Sequence, residues 1–108
     1  MATYTNTSYV AKNVGTSAST LTTVASATTA AISSLVVSNT TTSPITTSVY
    51  VTRSGTDYYI VSGAVVPVGG SLEVIQGNRL VLIASDVLKV VNSAAASGDV
   101  WVSALLAA

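Results

Sequence analysis

The chain has no cysteine, no histidine and no phenylalanine, only two prolines, and eight charged side chains among 108 residues. Without cysteine there are no disulfides and no thiolate metal sites. Without histidine the commonest proton shuttle and the commonest transition-metal ligand are missing as well. Lys12, Arg53, Arg79 and Lys89 balance Asp57, Glu73, Asp86 and Asp99, so the net charge is zero. A neutral chain with four scattered cations has no basic stripe for a phosphate backbone, which argues against nucleic acid as a partner. Long apolar runs are lacking too. The longest, Arg79 to Val91, is interrupted by Ser85, Asp86 and Lys89 and is too short to cross a bilayer, so no membrane partner is expected. The start, MATYTNTSYV, has neither a basic leader nor an apolar stretch, as expected of a product made in the cytoplasm without a signal peptide. Asn-x-Ser/Thr sequences at Asn6 and Asn39 are read as coincidence in a chain with 32 serines and threonines.

What is abundant is β-branched. Val, Ile and Thr number 39, and their restricted χ1 angles suit a pleated strand better than a helix. All 16 threonines lie at or before Thr56. The alternation of apolar and polar residues runs through that change without a linker, so a single folding unit is expected. Ile45, Thr47, Val49 and Val51 alternate with Thr46, Ser48, Tyr50 and Thr52, the pattern of a half-buried strand. Ser54-Gly55 then predicts a tight hairpin into the segment beginning at Tyr58. A second hairpin is predicted at Gly77-Asn78, between 71–75 and 79–83. Pro67 and Gly69-Gly70 mark the connection before it, and 39–44 a polar turn. Further strands are expected at 19–25, 30–38, 87–92 and 100–105, with room for a short helix near 92–96. About eight short strands with regular turn signals predict an all-β fold, a single antiparallel β-sandwich or jelly-roll-like barrel. The domain occupies 19–108, and 1–18 is an N-terminal arm or edge strand.

Several strands are apolar on both parities, which a sheet with one water-facing side does not explain. Leu80 and Leu82 are expected to face the core with Val81 and Ile83 outside; Leu88 and Val90 alternate with Val87 and Val91, and Val100 and Val102 with Trp101 and Leu105. Hiding ~400 Å² of such surface favours association by ~10 kcal/mol before entropic costs. Sparse charge and abundant hydroxyls describe a surface suited to being packed. The expected contact residues are Tyr4, Tyr9, Val81, Ile83, Val87, Val91, Trp101 and Leu105, engaging other copies of the chain and a larger protein.

No residue pattern carries a reaction. The four carboxylates would have to pair in one cleft to act as acid and base. Asp57 and Asp86 lie beside turn signals, and Asp99 follows a glycine, so turn or solubility roles are expected. The hydroxyls have no base in a recognisable arrangement with Lys12 or Lys89. Calcium at Asp57 or Asp99 would lack an acidic loop of EF-hand type. A non-enzymatic protein without metal or cofactor is expected. Tyr58 and Tyr59, adjacent in a strand, point to opposite faces. With Trp101 they leave open a carbohydrate- or receptor-binding module as the alternative.

The segments Ile32 to Thr41, Ile45 to Arg53 and Gly55 to Val61, with Val66 to Glu73, Asp86 to Val90 and Asp99 to Val102, resemble small virion proteins of tailed bacteriophages, notably marine and cyanobacterial ones. The resemblance spans roughly residues 20–105. It implies a multicopy, non-enzymatic part of a phage particle, in capsid decoration or at the neck, tail or baseplate, that binds its own copies, with a trimer expected by analogy, and a larger capsid or tail protein. It carries no catalytic residues.

Overall fold

β-branched alternation produces strands throughout. The computed structural model describes residues 3–108, the side chains of 76–78 excepted. The described residues form eight strands and no helix: β1 (Tyr4–Val14), β2 (Ser19–Thr23), β3 (Thr29–Asn39), β4 (Ile45–Arg53), β5 (Thr56–Val66), β6 (Ser71–Leu82), β7 (Val87–Asn92) and β8 (Gly98–Ala107). They pair antiparallel in two four-stranded sheets, β1-β8-β3-β6 and β2-β7-β4-β5. Successive strands alternate between the sheets except at β4–β5, and the first and last strands are neighbours. This is the strand order of an eight-stranded jelly roll.

The one hairpin within a sheet is the one predicted at Ser54-Gly55. Arg53 pairs with Thr56, and the two residues between them have φ of 52° and 78°, the positive values of a type I′ turn. The hairpin predicted at Gly77-Asn78 does not form. Both flanking segments belong to β6 and pair with β3, Leu80 opposite Ile32 and Gln76 opposite Ser34. Turn-prone residues are absorbed instead as an irregularity in a long edge strand, where bulges are common. Nor do residues 92–96 form a helix; Asn92 ends β7 and a turn leads to β8. Residues 4–14 are an edge strand, hydrogen-bonded to β8 of the same chain.

The core lies between the sheets and is aliphatic. Ile32, Leu35 and Val37 of β3 and Val102 of β8 meet Val49 of β4 and Leu88 and Val90 of β7, all fully enclosed. Each such side chain contributes ~1.5–3 kcal/mol on burial. The alternation read at β6, β7 and β8 holds: Leu82, Leu88, Val90, Val100 and Val102 are buried, whereas Val81, Ile83 and Trp101 are exposed and Val87, Val91 and Leu105 half-buried.

Polar residues order one end of the sandwich. The Asn39 side chain donates to Ser43 O (2.9 Å) and Val66 O (3.2 Å) and accepts from Thr41 N (2.8 Å) and Thr41 Oγ1 (2.7 Å). Its amide nitrogen is therefore engaged in shaping the β3–β4 turn. Gly98 begins β8 opposite both Val14 and Asn39, and a Cβ there would fall 2.7 Å from Ser38 O and from Asn92 Nδ2. Thr47 and Asn92 are paired residues on β4 and β7; Thr47 Oγ1 and Asn92 Oδ1 are buried without a hydrogen-bond partner.

Two changes at this end act in opposite directions. Gly98→Ala overpacks the backbone approach and is expected to lower unfolding stability by about 2 kcal/mol. Thr47→Val removes an unsatisfied hydroxyl at nearly constant volume and is expected to be neutral or to stabilise by up to about 1 kcal/mol. Urea unfolding midpoints of the two variants check both.

Candidate functional site

The outer face of the β1-β8-β3-β6 sheet carries the exposed apolar side chains of Tyr4, Val10, Val81 and Trp101. Residues paired across strands point to the same side of a sheet, so the ladders define rows on this face. Val10, Trp101, Val36 and Glu73 form one row, in which Trp101 is 59% and Val10 61% exposed. The next outward row is Ser8, Ser103 and Ser34, and the one after it Asn6, Leu105, Ala31 and Val81. Tyr4 lies beyond, opposite Ala107. Ser33 is skipped by the ladders on both sides of β3, a bulge whose hydroxyl donates to Ser103 O at 3.1 Å. Over it lies a groove of about 390 Å³, lined by Asn6, Ala31, Ser33, Arg79, Ser103 and Leu105 among others. One face thus holds a projecting indole and, one row beyond, a depression.

Of the eight residues expected to make contacts, Tyr4, Val81, Trp101 and Leu105 share this face. Ile83 lies just past the end of β6. Val87 and Val91 are half-buried on the outer side of the other sheet. Tyr9 pairs with the buried Val102 and packs against the core, because its parity along β1 is inward. Val10 and Val36 escaped the sequence reading: β1 is so rich in Thr, Asn and Ser that its parity is not legible from apolar positions.

A second candidate is the open side of the sandwich, where β5 and β6 are the edges of their sheets. A cleft of about 500 Å³ there is lined by Arg53, Tyr58, Tyr59, Ile60 and Val81 among others. Tyr58 pairs with inward-facing Val51 and Tyr59 with Tyr50, so the two tyrosines take opposite faces of β5, as expected. The Tyr50 and Tyr59 rings lie 4.9 Å apart, tilted by 32°. Burial, with Asp57 and Tyr59 adding to it, raises the Tyr50 phenol above its ordinary pKa. Trp101 belongs to the outer face of the other sheet, so it does not join the tyrosines in one site.

Beside this cleft, the Arg53 guanidinium grips Asp86 with Nε on Oδ1 (2.8 Å) and Nη2 on Oδ2 (2.6 Å). The Asp86 side chain is 1% exposed and that of Arg53 45%. Ile83 N donates to Asp86 Oδ2 at 2.9 Å, and Asp86 O accepts from Val24 N at 2.9 Å. The pair thereby ties the β6–β7 turn to the end of β4 and to β2. Asp86 is the turn residue its position predicts, but a buried, ion-paired one. The sequence signal was scarcity, since an acid among so few charges has few partners with which to be buried. Asp57 accepts from Thr52 Oγ1 at 2.6 Å, and Asp99 from Asn13 N at 3.0 Å, with Lys12 Nζ at 3.7 Å. Both serve local structure. Among the described residues no three acidic side chains converge on a common point.

Comparison with protein-family models and with curated proteins yields no match.

The Arg53 hydrogen bonds hold the Asp86 carboxyl below its ordinary pKa against the opposing effect of burial. A carboxylate whose pKa is lower in the folded state stabilises the fold at pH above the unfolded value, near 3.9, and loses that contribution as pH falls through the folded value. Asp86→Ala is expected to cost about 2 kcal/mol near neutral pH, because a charge-assisted pair is lost and Ile83 N is left unpaired. Below the ordinary aspartate range the difference from wild type should shrink. Thermal unfolding of both proteins across an acid series measures it.

Proposed function

We propose that this protein is a non-enzymatic structural component of a bacteriophage particle, present in many copies and acting by contact. Capsid decoration is preferred over a neck, tail or baseplate role. The observation that carries the reading is the row in which exposed Val10 and Trp101 flank half-buried Val36, with exposed Val81 and half-buried Leu105 beyond it, on a neutral chain with eight charges. An exposed apolar patch of this kind marks an interaction surface. The jelly roll is an architecture used by viral capsid domains, but lectins and cupins share it, so fold supports this reading only as analogy. The resemblance of residues 20–105 to small phage virion proteins points the same way. The Ser and Thr hydroxyls around the patch keep it wettable and are less costly to desolvate than ions once hydrogen-bonded.

The second reading is a carbohydrate- or receptor-binding module, favoured by the cleft where Tyr58 and Tyr59 stand beside Arg53. Aromatic rings with polar tips suit sugar stacking.

Co-sedimentation of the purified protein with particles of a phage that encodes it, alongside a glycan array, separates the two. The structural reading expects retention on particles and no glycan signal. Glycan binding abolished by Tyr58→Ala or Tyr59→Ala, without particle retention, overturns it in favour of the module.

A further inference from the structure

The two sheets end in four edge strands, β1, β6, β2 and β5, and three of these are blunted against pairing. β2 has only five residues, with a register shift between Thr20 and Thr22. β5 is interrupted twice in its ladder with β4, and β6 twice in its ladder with β3; β6 also carries Glu73 and Arg79. Short length, bulges and charge are the devices that keep a sheet edge from recruiting another strand. β1 has none of them from Tyr4 to Ala11. Its register with β8 is unbroken there, and the segment contains no proline, glycine or charged residue. We propose that this edge is a pairing site for β1 of a second copy of the chain. The two strands run antiparallel about a twofold axis at Thr7, joining two β1-β8-β3-β6 sheets into one.

The backbone groups are placed for this. Thr3 N donates to Ala108 O at 2.7 Å, and Ala108 N to Thr3 O at 2.9 Å, so these two residues exchange both bonds. In an antiparallel ladder such pairs recur at every second residue, which turns the N–H and C=O groups of Thr5, Thr7, Tyr9 and Ala11 toward β8. Those of Tyr4, Asn6, Ser8 and Val10 therefore point to the free edge. A twofold axis normal to the sheet keeps outer face with outer face, so even-numbered residues meet even-numbered residues. The free groups of one copy then face those of the other, giving about eight backbone hydrogen bonds over residues 4–10, two for each facing even-numbered pair.

Side chains select the register. With Thr7 on the axis, Tyr4 faces Val10 and Asn6 faces Ser8, each twice by symmetry, since in a twofold contact residue i meets j and j meets i. Tyr4 is 68% and Val10 61% exposed, the two large apolar side chains that β1 leaves open. An aromatic ring beside a β-branched residue is a favourable cross-strand pair. Moving the axis to Asn6 or to Ser8 sets Tyr4 opposite Ser8 or Lys12 instead. Tyr4 of one copy also continues the Val10–Trp101–Val36 row of the other, so the joint prolongs the apolar row rather than interrupting it. None of this depends on the virion reading.

Sedimentation equilibrium at micromolar concentration and above tests the proposal, with an expected mass of twice the 10.8 kDa of one chain. Ser8→Pro removes an N–H that the monomer does not use, at an edge position where proline is tolerated, and should weaken association at least about 30-fold while the fold persists. Thr7→Pro removes an N–H bonded to β8 and should instead lower the urea midpoint of unfolding. Register is read separately by oxidation, because the chain has no cysteine of its own. Thr7→Cys lies opposite itself across the axis and should form a disulfide-linked dimer readily. Thr5→Cys should not, since its counterpart lies about 13 Å along the strand, beyond the roughly 7 Å a disulfide spans between Cα atoms. A monomer at every concentration, a trimer, a dimer indifferent to Ser8→Pro, or equal cross-linking at the two positions overturns the proposal. Particle binding by a monomer removes this pairing and leaves the virion reading intact; a Ser8→Pro-sensitive dimer that no particle retains does the reverse.

Discussion

A two-layer sandwich has one interior, and each strand supplies it with only every second side chain. Everything else in this protein follows from how the sequence meets that limit. The centre of the inward set is fully enclosed: Ile32, Leu35, Val37, Val49, Leu88, Val90 and Val102 close against one another with no aromatic among them, and Tyr9 packs against their cluster only partly buried. β-branched and leucine side chains of similar size fill such a layer in few rotamers, which suits a core packed at crystal-like density. The outward set is where the sequence exceeds what the fold shelters. Val10, Val81 and Trp101 remain more than half exposed, on alternate positions of strands whose other parity is buried.

Charge is used sparingly, and each placement has a mechanical reason. Asp86 is the one carboxylate counted among the buried residues. The bidentate fork from Arg53 compensates its desolvation, and its backbone joins turns from both sheets. Lys12 and Asp99 clamp the start of β8 against the end of β1. Glu73 and Arg79 both stand on β6, Glu73 in the Trp101 row and Arg79 lining the groove. The surface is otherwise hydroxyl and apolar, which lowers the cost of covering it and weakens the mutual repulsion that keeps soluble monomers apart.

The parts of the fold legible in the sequence are those governed by local rules. Alternation placed the strands around Ile45–Arg53, Val87–Asn92 and Gly98–Ala107, and Ser54-Gly55 supplied the positive φ pair of a hairpin. Gly77-Asn78 misled because the same dipeptide serves a hairpin and an irregular edge strand; the choice is made by β3, which pairs with both halves of β6. The Arg53–Asp86 pair joins residues 33 apart in sequence, beyond the reach of pattern. The exposed apolar side chains of the outer face were legible in part, for the same reason. Val81, Trp101 and Leu105 stand out against aliphatic neighbours, whereas Val10 and Val36 gain their meaning only from register with Trp101. The groove beside Ser33 depends on a bulge that no residue type announces.

Trp101 is the only tryptophan, so its accessibility reports directly on whether the outer face is covered. Acrylamide quenching of its fluorescence across a dilution series is the most direct measurement. A face covered by other copies predicts an indole shielded at high concentration and increasingly quenched on dilution as the copies separate. An indole equally accessible at every concentration would contradict the account.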